Sequence, residues 1–178
     1  MTAAVLALLS TACGFAIKTL WDAYVQKRQS IELESWKIRV SELEKRLSQF
    51  YWPIYLRLQR DNVVWRKILD RENQTDEGRK QLACQIEGGV LLPNHEEILR
   101  IIENNAHLAG LDKEFEKLLL SYVRHVDVYR SIRAIGIKDR DPINFGEPYP
   151  KEFFPALEKR LIACQEEYDQ ALRTQGIA

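Results

Sequence analysis

The chain has 178 residues, of which 46% are hydrophobic and 29% are charged, with only eight glycines and six prolines. This composition excludes extensive disorder and suits one folded domain, or a smaller domain with a membrane segment. Basic and acidic residues number 26 each, yet residues 26–72 hold eleven basic and seven acidic residues. That local excess suits anionic lipid head groups, a phosphate-bearing ligand, or simply solvated helix faces.

The first element is an apolar N-terminal segment. Residues 2–17 carry no charged side chain, and Trp21 and Tyr24 follow at a place that suits the aromatic belt of a bilayer. With these residues the segment approaches the roughly 20 residues that a membrane span needs. We therefore predict a transmembrane anchor over residues 1–25, with a signal peptide and a buried helix as alternatives. Positive charge after the segment predicts a cytoplasmic C-terminal part and a single-pass protein of the bacterial inner membrane.

Small residues recur four apart within this segment, a spacing that lets two helices approach closely in lipid. They include Ala7 with Thr11, and Ser10 with Gly14. The pattern predicts helix association through the segment, although short apolar segments are often rich in alanine by chance.

A long helical stem is predicted over residues 26–72. Its apolar residues alternate at spacings of three and four, the pattern of a helix packed along a narrow seam. They are Leu33, Trp36, Val40, Leu43, Leu47, Phe50 and Ile54. The seam fits either a coiled coil with further copies of the chain or burial against the chain's own later helices.

An aromatic run precedes a proline within the stem: Phe50, Tyr51 and Trp52 come directly before Pro53. Proline removes a backbone donor and crowds the preceding turn, so the stem should kink here or a new helix should begin. The aromatic side chains would then form a hinge or a docking surface, or plug the junction with the remainder.

The remainder, residues 73–178, is predicted to be a helical bundle, which makes the fold class all-α. Helices are expected over residues 77–87, 95–108, 112–135 and 151–174. Gly88 and Gly89 should end the first of these, Asn94 should cap the second, and Asp112 should cap the third. Residues 137–150, rich in proline, should form an ordered loop.

Motifs for chemistry are missing from the sequence. It has no glycine-rich phosphate loop, no HExxH, no CxxC and no nucleophile elbow. The three cysteines and three histidines show no metal or redox spacing. We therefore expect a protein without enzymatic activity, cofactor or metal.

One cluster of side chains suits a ligand. Basic residues with interleaved histidine and tyrosine lie at the end of the helix over 112–135 and in the loop that follows. They are Arg124, His125, Tyr129, Arg130, Arg133, Lys138 and Arg140, and we call them the basic patch. The patch predicts binding of a nucleotide or a single-stranded oligonucleotide. Cations are also expected at the C-terminal end of a helix for local electrostatic reasons alone.

An N-terminal span, the bend over residues 47–55 and an all-helical remainder together resemble small bacterial inner-membrane proteins. The layout is similar to membrane effectors of anti-phage defence systems, the Hailong effector family among them. This resemblance implies a homo-oligomeric ion channel, such as a tetramer, that is controlled by an oligonucleotide, with Lys18 near the membrane boundary influencing which ions pass. The alternative is a membrane-anchored helical module that binds a partner protein and has no channel activity.

Overall fold

The computed structural model describes residues 2–69, 77–110, 112–137 and 140–175, and these form helices and connecting turns without a strand. The predicted all-α class is confirmed. The helices are α1 (Thr2–Lys45), α2 (Trp52–Val64), α3 (Glu77–Ile86), α4 (Leu92–Asn105), α5 (Lys113–Ala134) and α6 (Phe153–Gln175). The predicted boundary between stem and bundle, at residue 72, lies outside the described residues.

The predicted membrane anchor over residues 1–25 requires correction. Among the helices of the described ranges, none combines the length and the apolarity that crossing a membrane requires. In the sequence, the uncharged run ends before Lys18 and is followed by Asp22, so it falls short of the roughly 20 residues of a typical span. The predicted transmembrane helix and the inner-membrane localisation are therefore wrong on this finding.

The chain divides into two compact units. One comprises Met1–Glu42 with Ala171–Ala178, and the other comprises Leu43–Gln170. In the first unit, the indole Nε1 of Trp36 donates a hydrogen bond of 2.7 Å to the carbonyl oxygen of Ala171. In the second unit, buried side chains from α2, α4, α5 and α6 form the core, among them Ile54, Ile98, Tyr122 and Phe153.

Two prolines follow π-helical turns. Pro53 comes after the π-helical turn Arg46–Tyr51, and Pro93 comes after the π-helical turn Glu87–Leu91. At both places the residue before the proline donates its N–H to the carbonyl oxygen five positions earlier, from Trp52 to Leu47 and from Leu92 to Glu87. A wide turn of this kind accommodates a residue that has no N–H to donate. Pro53 lies in the first turn of α2, but Tyr51 and Trp52 both have right-handed helical backbone angles, so the helix continues and the predicted start of a new helix at Pro53 is not confirmed. The predicted kink stays a prediction.

The predicted seam is partly buried inside the chain. Leu43, Leu47, Phe50 and Ile54 are at most 6% exposed and belong to the core of the second unit. Phe50 and Tyr51 are buried, as expected for aromatic rings that plug a junction, whereas Trp52 is 40% exposed. From Leu43 onward, therefore, the chain itself covers the seam.

Helix ends follow the predicted caps in α5 but not in α4. Asp112 accepts hydrogen bonds from the backbone N–H groups of Glu114 (3.1 Å) and Phe115 (2.8 Å), which confirms it as the N-cap of α5. Gly88 and Gly89 were expected to end a helix, but the helical backbone continues through them into α4. Asn94 consequently lies inside α4 rather than at its start, and its side chain is free for tertiary contacts.

Candidate functional site

Arg133, at the centre of the basic patch, makes its hydrogen bonds within the chain. The side chain of Arg133 is 9% exposed, and all five of its N–H donors are paired. It donates to Glu87 twice, at 3.0 and 2.8 Å, to Asp141 at 3.0 Å, and to the carbonyl oxygens of Ile137 and Arg140. Its guanidinium also lies 5.0 Å from the centre of the Tyr129 ring. These contacts leave Arg133 without a free donor for an external phosphate.

Other members of the patch are also engaged within the chain. Arg124 pairs with the carboxylate of Glu147 at 3.1 Å, and the ring of His125 makes a 2.8 Å hydrogen bond with the carbonyl oxygen of Glu147. Tyr129 donates its hydroxyl hydrogen to Glu87. Arg130 and Arg140 are exposed, and Lys138 lies outside the described residues. The ligand hypothesis for the patch stays a prediction.

A second polar group, missed by the sequence analysis, lies in the core between α2, α4 and α5. Asp61, Asn94 and His95 are 8%, 2% and 8% exposed. The Asn94 amide donates to Asp61 at 2.7 Å, and the Nδ1 atom of His95 shares a 2.7 Å hydrogen bond with the hydroxyl of Tyr122. Nδ1 of His95 also lies 3.8 Å from Oδ2 of Asp61, a buried oxygen that has no hydrogen-bond partner in the described part of the chain.

Burial shifts the pKa values of this pair in opposite directions. Desolvation raises the pKa of Asp61 to about 6, against the hydrogen bond from Asn94 and the charge of Arg60, which lower it. Desolvation, assisted by the positive charge of His125, lowers the pKa of His95 to about 4. Both shifts favour the uncharged form, because burial penalises a charge. The pair is therefore best described as a neutral carboxyl group beside a neutral imidazole at pH 5.

The two pKa shifts predict opposite pH dependences of the free energy of unfolding, which cancel in the wild-type protein. The raised pKa of Asp61 stabilises the fold at low pH, and this stabilisation is lost as the pH rises through about 6. The lowered pKa of His95 has the opposite effect, because its contribution to the stability of the fold grows from about pH 4 upward. The slopes oppose each other. Asp61→Asn removes one of the two titrations and leaves that of His95. In this variant we expect the free energy of unfolding to increase between pH 4 and 6, by up to about 1.4 kcal/mol per pH unit. Urea unfolding at several pH values measures it.

The matched control for this pH dependence is Asp127→Asn, which removes an exposed carboxylate of α5. It should leave the slope of the wild-type protein unchanged. Parallel curves for Asp61→Asn and the wild-type protein across this range would refute the opposed titrations.

The first unit exposes a row of apolar side chains on α1, also missed by the sequence analysis. Leu20, Tyr24, Ile31 and Ile38 are 72%, 59%, 52% and 62% exposed, and we call them the α1 stripe. Their spacings of four, seven and seven residues place them within about 40° of one another around a helix, and about 160° from the face that carries Trp36 and Val40. Helix α1 therefore has a second apolar face.

The predicted pore and interface residues lie on the same helix. Ala7, Ser10, Thr11 and Gly14 lie in α1, and their exposure is outside what the structure describes. Lys18 is exposed.

Two signals in the sequence could have revealed these features. Tyr24, Ile31 and Ile38 follow a period of seven, but the denser seam on the same helix dominates the pattern. Asp61 stands three residues after Leu58 and seven after Ile54, which makes it an acidic residue on an apolar face. Such a position indicates a buried carboxyl group.

Comparison with protein-family models, with curated proteins and with solved structures finds no match to this chain. Within the described residues, no group of three or more potential ligand side chains is placed to hold a metal ion. The function is therefore argued from the geometry of the chain's own side chains.

Proposed function

We propose that this protein is a helical interaction module that associates with a second copy of itself through the α1 stripe. The observation that carries the proposal is the exposure of four large apolar side chains along one face of α1. A row of this kind is unfavourable in water and is covered in coiled coils by an equivalent row of a second helix. The period of seven between Tyr24, Ile31 and Ile38 is the repeat that such pairing requires.

The charges beside the stripe favour an antiparallel pair. Lys27 and Glu34 flank the stripe on one side and Arg28 flanks it on the other. If Ile31 packs against Ile31 of the second copy in antiparallel fashion, residues on the same side of the stripe face each other, so Lys27 of one copy lies beside Glu34 of the other. In a parallel pair, residues on opposite sides face each other, so Lys27 would lie beside Arg28, which is repulsive.

The proposal predicts that a charge in the stripe dissociates the assembly. We expect Ile31→Glu to lower the self-association constant by at least about tenfold, equivalent to roughly 1.4 kcal/mol, because it buries a carboxylate at the centre of the paired α1 stripes. Sedimentation equilibrium of the full chain measures this. The control is Ile135→Glu, which places the same charge on a residue that is 74% exposed in the second unit and should leave the association unchanged. A wild-type chain that is monomeric at all concentrations contradicts the proposal.

Disulfide trapping tests the direction of the pair. Tyr24→Cys and Ile38→Cys are prepared separately in a chain whose Cys13 and Cys84 are replaced by serine, and the two variants are mixed and oxidised. The antiparallel pair predicts cross-links between the two variants. Cross-links only within each variant would show a parallel pair.

A further inference from the structure

A cleft of about 310 Å³ lies between α2 and the start of α4. Its lining consists of Arg57 and Arg60 from α2, Gly89 and Val90 from the π-helical turn, and Pro93, Asn94 and Glu97 from α4. It lies within the second unit, far along the sequence from both the α1 stripe and the basic patch. The cleft therefore has two cationic side chains at its wall and one acidic side chain.

The acidic side chain is already neutralised from outside the cleft. Arg100 holds Glu97 in a two-pronged ion pair, at 2.8 and 2.6 Å, whereas the contact from Arg57 is longer, at 3.4 Å. The second guanidinium contact of Arg57, to the carbonyl oxygen of Pro53, is 3.2 Å long. Both contacts of Arg57 are at or beyond the usual limit for a hydrogen bond between nitrogen and oxygen. Its guanidinium can therefore turn toward an anion at little cost.

Asn94 fixes the second arginine. Its Nδ2 group donates to the carbonyl oxygen of Arg57 at 3.0 Å and to Asp61 at 2.7 Å, so both amide hydrogens are used and the amide cannot flip. Its Oδ1 atom is consequently held in place to accept from Arg60. This contact orients the Arg60 guanidinium, whose other four N–H groups have no partner among the described residues. A buried amide thus pre-organises a cation at the cleft.

Part of the cleft lining is apolar. Val90 and Pro93 contribute carbon surface, and a Cβ atom added at Gly89 would meet nothing within 4 Å. Gly89 has an ordinary negative φ, because the glycines with positive φ in the described residues are Gly110, Gly136 and Gly146. A glycine that neither the backbone conformation nor a close neighbour requires leaves free volume beside the two arginines.

We propose that this cleft binds a small organic oxyanion, with Arg57 and Arg60 holding the anionic group and Val90 and Pro93 contacting an apolar substituent. Guanidinium groups bind phosphate and carboxylate oxygens through charge-assisted hydrogen bonds, and the volume of the cleft suits a ligand the size of one ring with its anionic group. Two arginines that converge from successive turns of α2 supply the positive charge. The site is independent of the proposed self-association.

Phenyl phosphate is the probe, since it combines an anionic group with an apolar ring. Isothermal titration calorimetry of the full chain measures its binding. We expect saturable binding that is at least tenfold tighter than for inorganic phosphate or phenol. Arg60→Met should weaken it at least tenfold. Because Arg60→Met also leaves Oδ1 of Asn94 without its donor, Gly89→Leu serves as a second variant that fills the cleft and keeps both arginines.

Gly88→Leu is the matched control, since Gly88 adjoins Gly89, is equally free of neighbours, and does not line the cleft. Loss of binding in Gly89→Leu with retention in Gly88→Leu supports the site. No saturable heat with the wild-type chain overturns the proposal, and so does binding that Gly89→Leu leaves within twofold of the wild-type value.

Discussion

Replacement of Arg133 by methionine is expected to lower the free energy of unfolding by about 3–5 kcal/mol, because removing one partner of a buried ion pair leaves the other charge uncompensated. Arg133 makes five hydrogen bonds that join α5, the turn before α4 and the segment after α5. Without it, Glu87, whose side chain is 17% exposed, retains only the hydroxyl of Tyr129 among its hydrogen-bond donors in the described residues. Urea unfolding followed by circular dichroism measures the loss.

The control for Arg133 lies on the same helix and within the same basic patch. Arg130 is exposed, and Arg130→Met should change the free energy of unfolding by no more than about 0.5 kcal/mol. A loss below 1 kcal/mol in Arg133→Met would contradict the structural role of its guanidinium.

Local patterns in the sequence were sufficient to predict most helices. The cap at Asp112, the end of the helix over residues 112–135 and the long last helix depend on residues close in sequence, and all three agree with the structure. The predictions that a helix ends at Gly88 and Gly89 and that Asn94 caps the next one were wrong, because neither glycine nor asparagine alone determines where a helix begins or ends. Glycine only lowers helix propensity, by about 1 kcal/mol, and packing against neighbouring helices can exceed that cost. Asn94 is instead used in a contact with residues of α2 more than 30 positions earlier.

The basic patch shows why a cluster of like residues is hard to interpret from sequence. Arg130 and Arg133 are three residues apart on one helix, yet one is exposed and the other is enclosed by Glu87 and Asp141. Glu87 lies 46 residues before Arg133, and no local pattern reports that pairing. The buried group around Asp61 has the same origin, since its three members come from two helices and become neighbours only through packing.

The opposite lesson comes from the predicted stem. Its seam at spacings of three and four predicted packing correctly for Leu43 at the end of α1, for Leu47 in the π-helical turn and for Ile54 in α2, all of which are buried. The α1 stripe follows a different period on the other side of the helix and is exposed. A helix with apolar residues on two faces can be covered on one face by its own chain and still offer the other face to a second chain. The self-association that we propose thus uses different residues from the predicted seam.

The second large effect is expected in the aromatic core. Phe153 is 0% exposed at the start of α6, and its ring stacks on Tyr122 of α5 at 4.6 Å between centroids and on Phe115 at 6.1 Å. Phe153→Ala removes a ring that fills the space between α5 and α6. We expect it to lower the free energy of unfolding by about 3–5 kcal/mol, from the lost burial together with the cavity that remains. Thermal and urea unfolding should both report the change.

Phe145 provides the matched comparison, since its ring is 47% exposed and Phe145→Ala creates no enclosed cavity. It should cost less than about 1 kcal/mol. The Tyr122 ring links this prediction to the polar group, because its hydroxyl holds His95 at 2.7 Å while its face packs on Phe153. Phe153→Ala should therefore also loosen His95 and raise its pKa toward the ordinary value, which NMR titration of the histidine ring detects. A destabilised Phe153→Ala variant in which the pKa of His95 is unmoved would show that the aromatic stack and the buried pair are independent.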